Sequence, residues 1–300
     1  MNFSENKNKI IIDVGLHDGK DTEYYLSRGF TVAAIEADVS FIKKAEKDFP
    51  NEINEGRLKL YHVAITEKDF DSITFHISSK SIWNSIDPNV SQRANNKVKS
   101  VTVPTRTLGS IVDELGKPYY IKIDIEGSDT IALNTLKNTT LRPDYLSVES
   151  ECVREGKQLS ESEVLETLHL LRDLGYKQFK MVDQTTFQVL PKNGGFYTNP
   201  KMQIQPKKKT FLNLAVGKIR ATYEKAFNKH PDNMKHRYEL LEKLNYFFKV
   251  SSSGPFGEDL AGVWLDFEDA KQCVLTNRAE YHALPSSLEF GFWCDWHAKI

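Results

Sequence analysis

Cysteine is scarce in this chain. Cys152, Cys273 and Cys294 are the only three in 300 residues, too few and too scattered for a disulfide framework or for a zinc site, which needs thiols paired at short spacing. A reducing compartment is the resulting expectation. An excess of charge of one sign is also missing: 40 Lys and Arg stand against 41 Asp and Glu, so nothing draws the whole surface toward nucleic acid or anionic membrane. No membrane-spanning apolar run is present, and the polar stretch from Met1 to Lys9 enters a strand directly, without the apolar core of a signal peptide. These absences lead us to expect a cytoplasmic protein with no stable membrane insertion and no nucleic-acid partner.

What is present is an alternation of strand and helix signals from Ile10 to about Leu190, the pattern of crossover units in a mostly parallel sheet. Ile10 to Val14 reads as a strand closed by Gly15, and Asp21 or Thr22 can cap the helix that follows. Thr31 to Ile35 leads to Glu36, and Leu58 to Ile65 reads as a third strand. The region from Ile77 to Lys99 is rich in Ser and Asn and lacks a period, which predicts a long irregular connection. Ser160 and Glu163 have capping-box spacing before the stripe Val164, Leu165, Leu168, Leu171 and Leu174. Tyr176 to Val182 and Thr186 to Leu190 then read as an antiparallel hairpin. We therefore expect an α/β domain over 1–190 and a helical, aromatic-rich extension over 191–300. That extension has a basic stretch from Lys207, a break at Ser251 to Pro255, and a tail around Trp293 to His297 placed to cover a site.

The most informative stretch is Ile121 to Gly127, in which Ile121, Ile123 and Ile125 alternate with Lys122, Asp124 and Glu126. Read as a strand, it puts three charges on one face. Inside a covered parallel sheet those charges need partners, a ligand or an opening to water; on an edge strand they would simply be solvated.

Asp13-Val14-Gly15-Leu16-His17-Asp18-Gly19 forms a strand-to-helix turn, where exposed amides and glycines allow close approach of a ligand. Glu36 ends the next strand, at a spacing comparable with that between the glycine turn and the ribose-binding acid of dinucleotide folds. A carboxylate there can accept both hydroxyl protons of a ribose. His17 stands where a dinucleotide site expects the central glycine of G-x-G-x-x-G, and no G-x-x-x-x-G-K-[ST] loop exists. S-Adenosylmethionine, which has a ribose but no phosphate, fits this pattern better than a nicotinamide dinucleotide does.

The run from Ile11 to Glu36, then Ala64, Thr107-Leu108, and Ile121 to Gly127 followed by Leu133 resembles the FkbM family of S-adenosylmethionine-dependent methyltransferases, over about Ile10 to Leu190. The resemblance implies a Rossmann-like, seven-stranded, mostly parallel sheet with its last strand antiparallel, and methyl transfer to a hydroxyl of a sugar, glycan or natural product. It also implies donor contacts from Asp13, Gly15, Gly19 and Glu36, with Ala64 and Ile65 near adenine. Where the family has Ala-Asn this chain has Leu16-His17, and Asp129 replaces the usual distal Glu, so the contact expected from Asn either comes from His17 or is absent.

Methyl transfer is an in-line displacement, so alignment and water exclusion dominate and no protein nucleophile is needed. A hydroxyl acceptor must lose a proton. Asp124, Glu126 and Glu149, at the carboxyl ends of their strands, are the candidate bases, or together could hold a divalent cation through oxygen ligands. Trp83-Asn84-Ser85 is a candidate acceptor contact, and His297 a further candidate base with no sequence partner to fix it. A scaffold that keeps the fold without catalysis is the alternative of a different class.

Overall fold

The computed structural model describes residues 6–79, 83–92, 97–125, 127–150, 153–154, 157–198, 231–249, 252–283 and 292–300. The basic stretch from Lys207 lies outside them. In chain order the first half comprises β1 (Ile10–Val14), α1 (Lys20–Ser27), β2 (Thr31–Glu36), α2 (Val39–Asp48), α3 (Pro50–Asn54), β3 (Leu58–His62), β4 (Ala64–Ile65), β5 (Ser72–Ser78), α4 (Pro88–Ser91), β6 (Val98–Arg106), α5 (Leu108–Leu115), β7 (Tyr120–Ile123) and α6 (Asp129–Thr135). There follow β8 (Tyr145–Ser150), β9 (Val153–Arg154), β10 (Lys157–Gln158), α7 (Glu161–Asp173), β11 (Gln178–Asp183), β12 (Gln188–Val189), α8 (Pro231–Leu244), α9 (Phe267–His282) and β13 (Cys294–Lys299).

The main sheet runs β12-β11-β13-β8-β7-β1-β2-β3. Strands β8, β7, β1, β2 and β3 pair in parallel, while β13 is antiparallel to both its neighbours. This is the expected Rossmann-like arrangement with a two-residue eighth strand, β12, at the edge. The chain leaves β1 toward β2 on one side and reaches β7 on the other, so the strand order reverses there, where open α/β sheets leave a crevice beyond their carboxyl ends.

The central strands are largely apolar on both faces because both are covered. Ile12, Val14, Ile121, Ile123, Leu146 and Val148 enter one core with Leu108, Ile111, Leu133, Leu168 and Val274, supplied by α5, α6, α7 and α9. Ile11, Val32, Ala34 and Tyr120 enter the other with Tyr24, Tyr25, Ile42, Leu240, Leu244 and Phe256. The capping box at Ser160 and Glu163 forms as expected.

Three expectations need correction. The charged strand stops at Ile123, because the amide of Ile125 leaves the ladder to donate to the Asp129 carboxylate at 3.2 Å and Gly127 turns with φ +85°. The stretch 77–99, expected to be irregular, is framed by the pairing of β5 with β6 from Ser72 opposite Pro104 to Ser78 opposite Val98. The predicted third strand divides: β3 ends at His62, and Ala64 and Ile65 pair instead with Thr105 and Arg106 of a separate three-stranded sheet.

The chain end differs as well. Cys294–Lys299, expected within an extension covering a site, lies inside the main sheet between β8 and β11. Without it both neighbours would present bare backbone edges. Helices α8 and α9 pack on opposite faces of the sheet, with Leu240 in one core and Val274 in the other. Ser252 and Ser253, in the stretch read from sequence as a flexible or turn-forming break, are buried, and Gly254 turns there with φ +81°.

Candidate functional site

Strand register builds the site. Val14 pairs with Ile35 on one side and Ile123 on the other, and Ile123 pairs with Val148. The next residues along each chain are therefore Glu36, Gly15, Asp124 and Glu149, with Asp295 directly opposite Glu149 on β13. One row at the carboxyl edge of the sheet thus carries four acids interrupted by a glycine. Gly15 has φ +92°, and a Cβ there would lie 2.0 Å from the Asp124 carbonyl oxygen, so the backbone of β1 reaches the end of β7 only because the side chain is absent. The amides of Gly15 and Leu16 both donate to the Ile35 carbonyl at 3.0 Å, which pins the turn to β2. Gly19, with φ +82°, opens α1, and a Cβ there would meet the Phe49 ring at 3.1 Å.

Glu36 is gripped from two sides. One carboxylate oxygen accepts the His17 amide and the other the Asp38 amide, each at 2.8 Å. Burial pushes its pKa up, and the two amides pull it back. A carboxylate has about four acceptor positions, so roughly two remain for hydroxyl groups. His17 makes its contact through backbone, in a left-handed conformation with φ +47°, while its ring lies against Phe41 at 4.5 Å. Asn84 comes to the same place: its amide nitrogen donates to Asp38 at 3.0 Å, and its oxygen accepts the Ser78 amide at 2.9 Å. Ala64 packs in a small cluster with Ala37, the residue after Glu36, whereas Ile65 turns into the main core.

Behind Gly15 lies a buried charge network. Lys122, 4% exposed, donates through its ammonium to the Gly15 carbonyl at 3.0 Å. It lies 3.3 Å from Asp13, 3.4 Å from Asp21 and 3.6 Å from Asp124. Burial alone would depress its pKa, but the carboxylates of Asp13, Asp124 and Asp21 outweigh that and hold it well above the usual lysine value. Asp13 is fully buried and also accepts the Thr22 hydroxyl at 2.7 Å. Burial raises its pKa against the pull of Lys122. Asp13 therefore braces the turn from below and is enclosed by protein groups.

Of the candidate bases, Asp124 is open, with its side chain 44% exposed and ion-paired to Lys122. Glu149 lines a cavity of about 240 Å³ together with Asp129, Glu163, Glu166 and Thr167. Glu126 lies outside the described residues. Among the described residues no three His, Cys, Asp or Glu side chains are grouped to hold a metal ion. His297 does not reach the edge: it is buried within β13 between Ser147 and Lys180, and burial, reinforced by Lys180, lowers its pKa to about 3.

Several site residues escaped the sequence reading. Asp21 was read only as a cap. Asp295, which accepts the Gln184 amide, has its pKa raised well above the carboxylate range by burial, with the Asp124 charge adding to the effect. A signal for it existed, since Cys294, Trp296 and Ala298 alternate with Asp295, His297 and Lys299 as in a strand.

The sequence model described as the methyltransferase FkbM domain matches residues 13–177. Among solved structures, the chain is similar to phosphoethanolamine N-methyltransferase 2 of Haemonchus contortus in complex with phosphomonomethylethanolamine and S-adenosylhomocysteine. Identity is 10% and the TM-score 0.39, over 98% of this chain and 49% of that one. It is similar to coclaurine N-methyltransferase bound to N-methylheliamine and S-adenosylhomocysteine, at 11% identity and TM-score 0.36, over 98% of this chain and 67% of that one. A dimethyladenosine transferase from Plasmodium falciparum gives 14% identity and TM-score 0.32, with 92% of each chain covered. The chain spans about half the length of the first of these. No curated protein matches it.

Proposed function

Since this chain belongs to the FkbM methyltransferase family, we propose that it transfers a methyl group from S-adenosylmethionine to a hydroxyl of a sugar, glycan or other small natural product. The observation that carries this reading is Glu36, fixed by two amides beside the Gly15 turn at the reversal of strand order. Its remaining acceptor positions suit the two hydroxyls of a ribose. Gly15, His17 and Gly19 would let the methionine portion approach backbone, and Asp13 would act through Lys122 by keeping the turn in place. Ala64 would border the adenine, with Ile65 behind it in the core. The donor supplies an electrophilic methyl on a sulfonium; the chain supplies alignment, exclusion of water and a place for one proton.

Asp124 is the base in this scheme. It stands next to Gly15 in the register row, open to solvent on one side and ion-paired on the other. Glu149, on the adjacent strand and in the wall of the cavity, would orient the acceptor hydroxyl. Incubation with isotopically labelled S-adenosylmethionine and a panel of hydroxylated and glycosylated compounds, read by mass spectrometry, should give labelled O-methyl products. Binding of the donor without turnover of any acceptor would favour a non-catalytic scaffold. Asp124→Asn should abolish most turnover with donor binding intact; full turnover in Asp124→Asn and Glu149→Gln alike would refute the assignment of these two acids.

A further inference from the structure

We propose that the segment Ser252–Phe256, contributed from the far end of the chain, is a positioning element of the methyl-donor site, acting on the Gly15 turn through Asp21 and Lys122. This rests on the reading of that turn as the donor site. Asp21 sits in the first turn of α1 and is buried. Its carboxylate accepts the Ser252 hydroxyl at 2.6 Å and the Ser253 amide at 3.0 and 3.2 Å, across more than 230 residues of sequence. On its other side Asp21 faces the Lys122 ammonium at 3.4 Å, and that ammonium holds the Gly15 carbonyl at 3.0 Å.

Lys122 has three N–H donors but faces three carboxylates and the Gly15 carbonyl, so one ammonium cannot satisfy all four. Ser252 and Ser253 supply Asp21 with donors besides that ammonium. That fixes the carboxylate where it can share the ammonium without drawing it away from Gly15. The segment is itself firmly seated. The Phe256 ring stacks on Tyr120 of β7 at 4.0 Å with 1° between planes. Gly254 turns with φ +81° against the Phe187 ring, where a Cβ would come within 2.6 Å. The Gly254 amide also donates to the Ser252 hydroxyl at 3.2 Å, which orients that hydroxyl toward Asp21. A segment serving only as cover would need the aromatic contact but not this set of donors aimed at one buried carboxylate. Ser252 and Ser253 are positioning residues; neither touches the donor.

The test uses the full chain and S-adenosylhomocysteine. Ser252→Ala should raise its Kd about tenfold, the scale expected when a charged acceptor loses one of its hydrogen bonds, and should raise the KM for the donor while kcat at saturation stays near wild type. Ser252→Thr keeps the hydroxyl and should restore Kd to within about threefold of wild type. A lowered melting temperature with unchanged Kd and KM would mean a purely structural role and overturn the proposal. If Ser252→Ala does not fold, wild-type hydrogen exchange decides, because coupling between sites is reciprocal. S-Adenosylhomocysteine should then slow exchange in the peptide 252–256 along with the peptide containing Gly15. Slowed exchange at Gly15 alone would overturn the coupling. A wild-type protein that fails to bind S-adenosylhomocysteine would refute the donor reading itself and this proposal with it, an outcome visible in the first titration.

Discussion

Replacing Glu36 with Gln changes one atom's hydrogen-bonding sense and leaves shape nearly untouched. In the wild type two backbone amides, from His17 and Asp38, each donate to a different carboxylate oxygen at 2.8 Å. A carboxamide can accept only one of them; its NH2 group must face the other, donor against donor. Leaving one buried amide unsatisfied costs about 1–3 kcal/mol of folding stability. The same replacement removes the ionised acceptor for ribose hydroxyls. Losing about 2 kcal/mol there corresponds to a roughly thirtyfold rise in the Kd for S-adenosylhomocysteine. Calorimetric titration gives the second quantity and urea unfolding without ligand the first. The pH dependence supplies a further sign. Burial raises the pKa of Glu36, so donor affinity in the wild type should weaken as pH falls through that raised value, and Glu36→Gln should lack this acid limb. Wild-type affinity in Glu36→Gln, at neutral pH and with the fold intact, would refute the reasoning.

Other outcomes follow from the same geometry. Lys122→Met leaves Asp13, Asp21 and Asp124 without their shared counter-charge and should cost about 3–5 kcal/mol in urea unfolding; a loss below about 1 kcal/mol would show that the network is not electrostatically coupled. Gly15→Ala puts a Cβ 2.0 Å from the Asp124 carbonyl oxygen at φ +92°, and should cost about 3 kcal/mol or more of stability or abolish donor binding; near-native behaviour in both assays would contradict the close approach of β1 and β7. His297 has a folded pKa of about 3 against 6.5 when unfolded, so the native state refuses a proton that the unfolded chain accepts. Its stabilising contribution is full above pH 6.5 and is lost as pH falls toward 3, on the order of 5 kcal/mol in all. His297→Gln should flatten that part of the stability curve as measured by chemical denaturation across pH.

The parts of this architecture that can be read from sequence are those set by local pattern. Ile10 to Val14 is apolar except for Asp13 because its strand is covered on both faces, and Gly15 marks a positive φ that other residues resist. The capping box at Ser160 likewise depends on four consecutive residues. Alternation in Ile121 to Gly127 fixes which residues share a face but not where the ladder ends. The end is set by Asp129 taking the Ile125 amide, a contact alternation cannot register. In β13 the alternation of Cys294, Trp296 and Ala298 is complete, yet the intervening Asp295 and His297 are buried too, so the stretch does not look like a covered strand. The pairing of Lys122 with Asp13 spans 109 residues and that of Asp21 with Ser252 spans 231, and only the fold brings these partners together. Glu36 and Gly15 were accessible from spacing; the charges that brace them were not.

The central claim is that the donor's ribose is held by Glu36 beside the Gly15 turn. A crystal structure of the full chain with S-adenosylhomocysteine tests it directly. Both ribose hydroxyls should lie within about 3 Å of the Glu36 carboxylate oxygens, with the two backbone amides of His17 and Asp38 still in place. A ligand bound with its ribose away from Glu36, or at another edge of the sheet, would contradict the account.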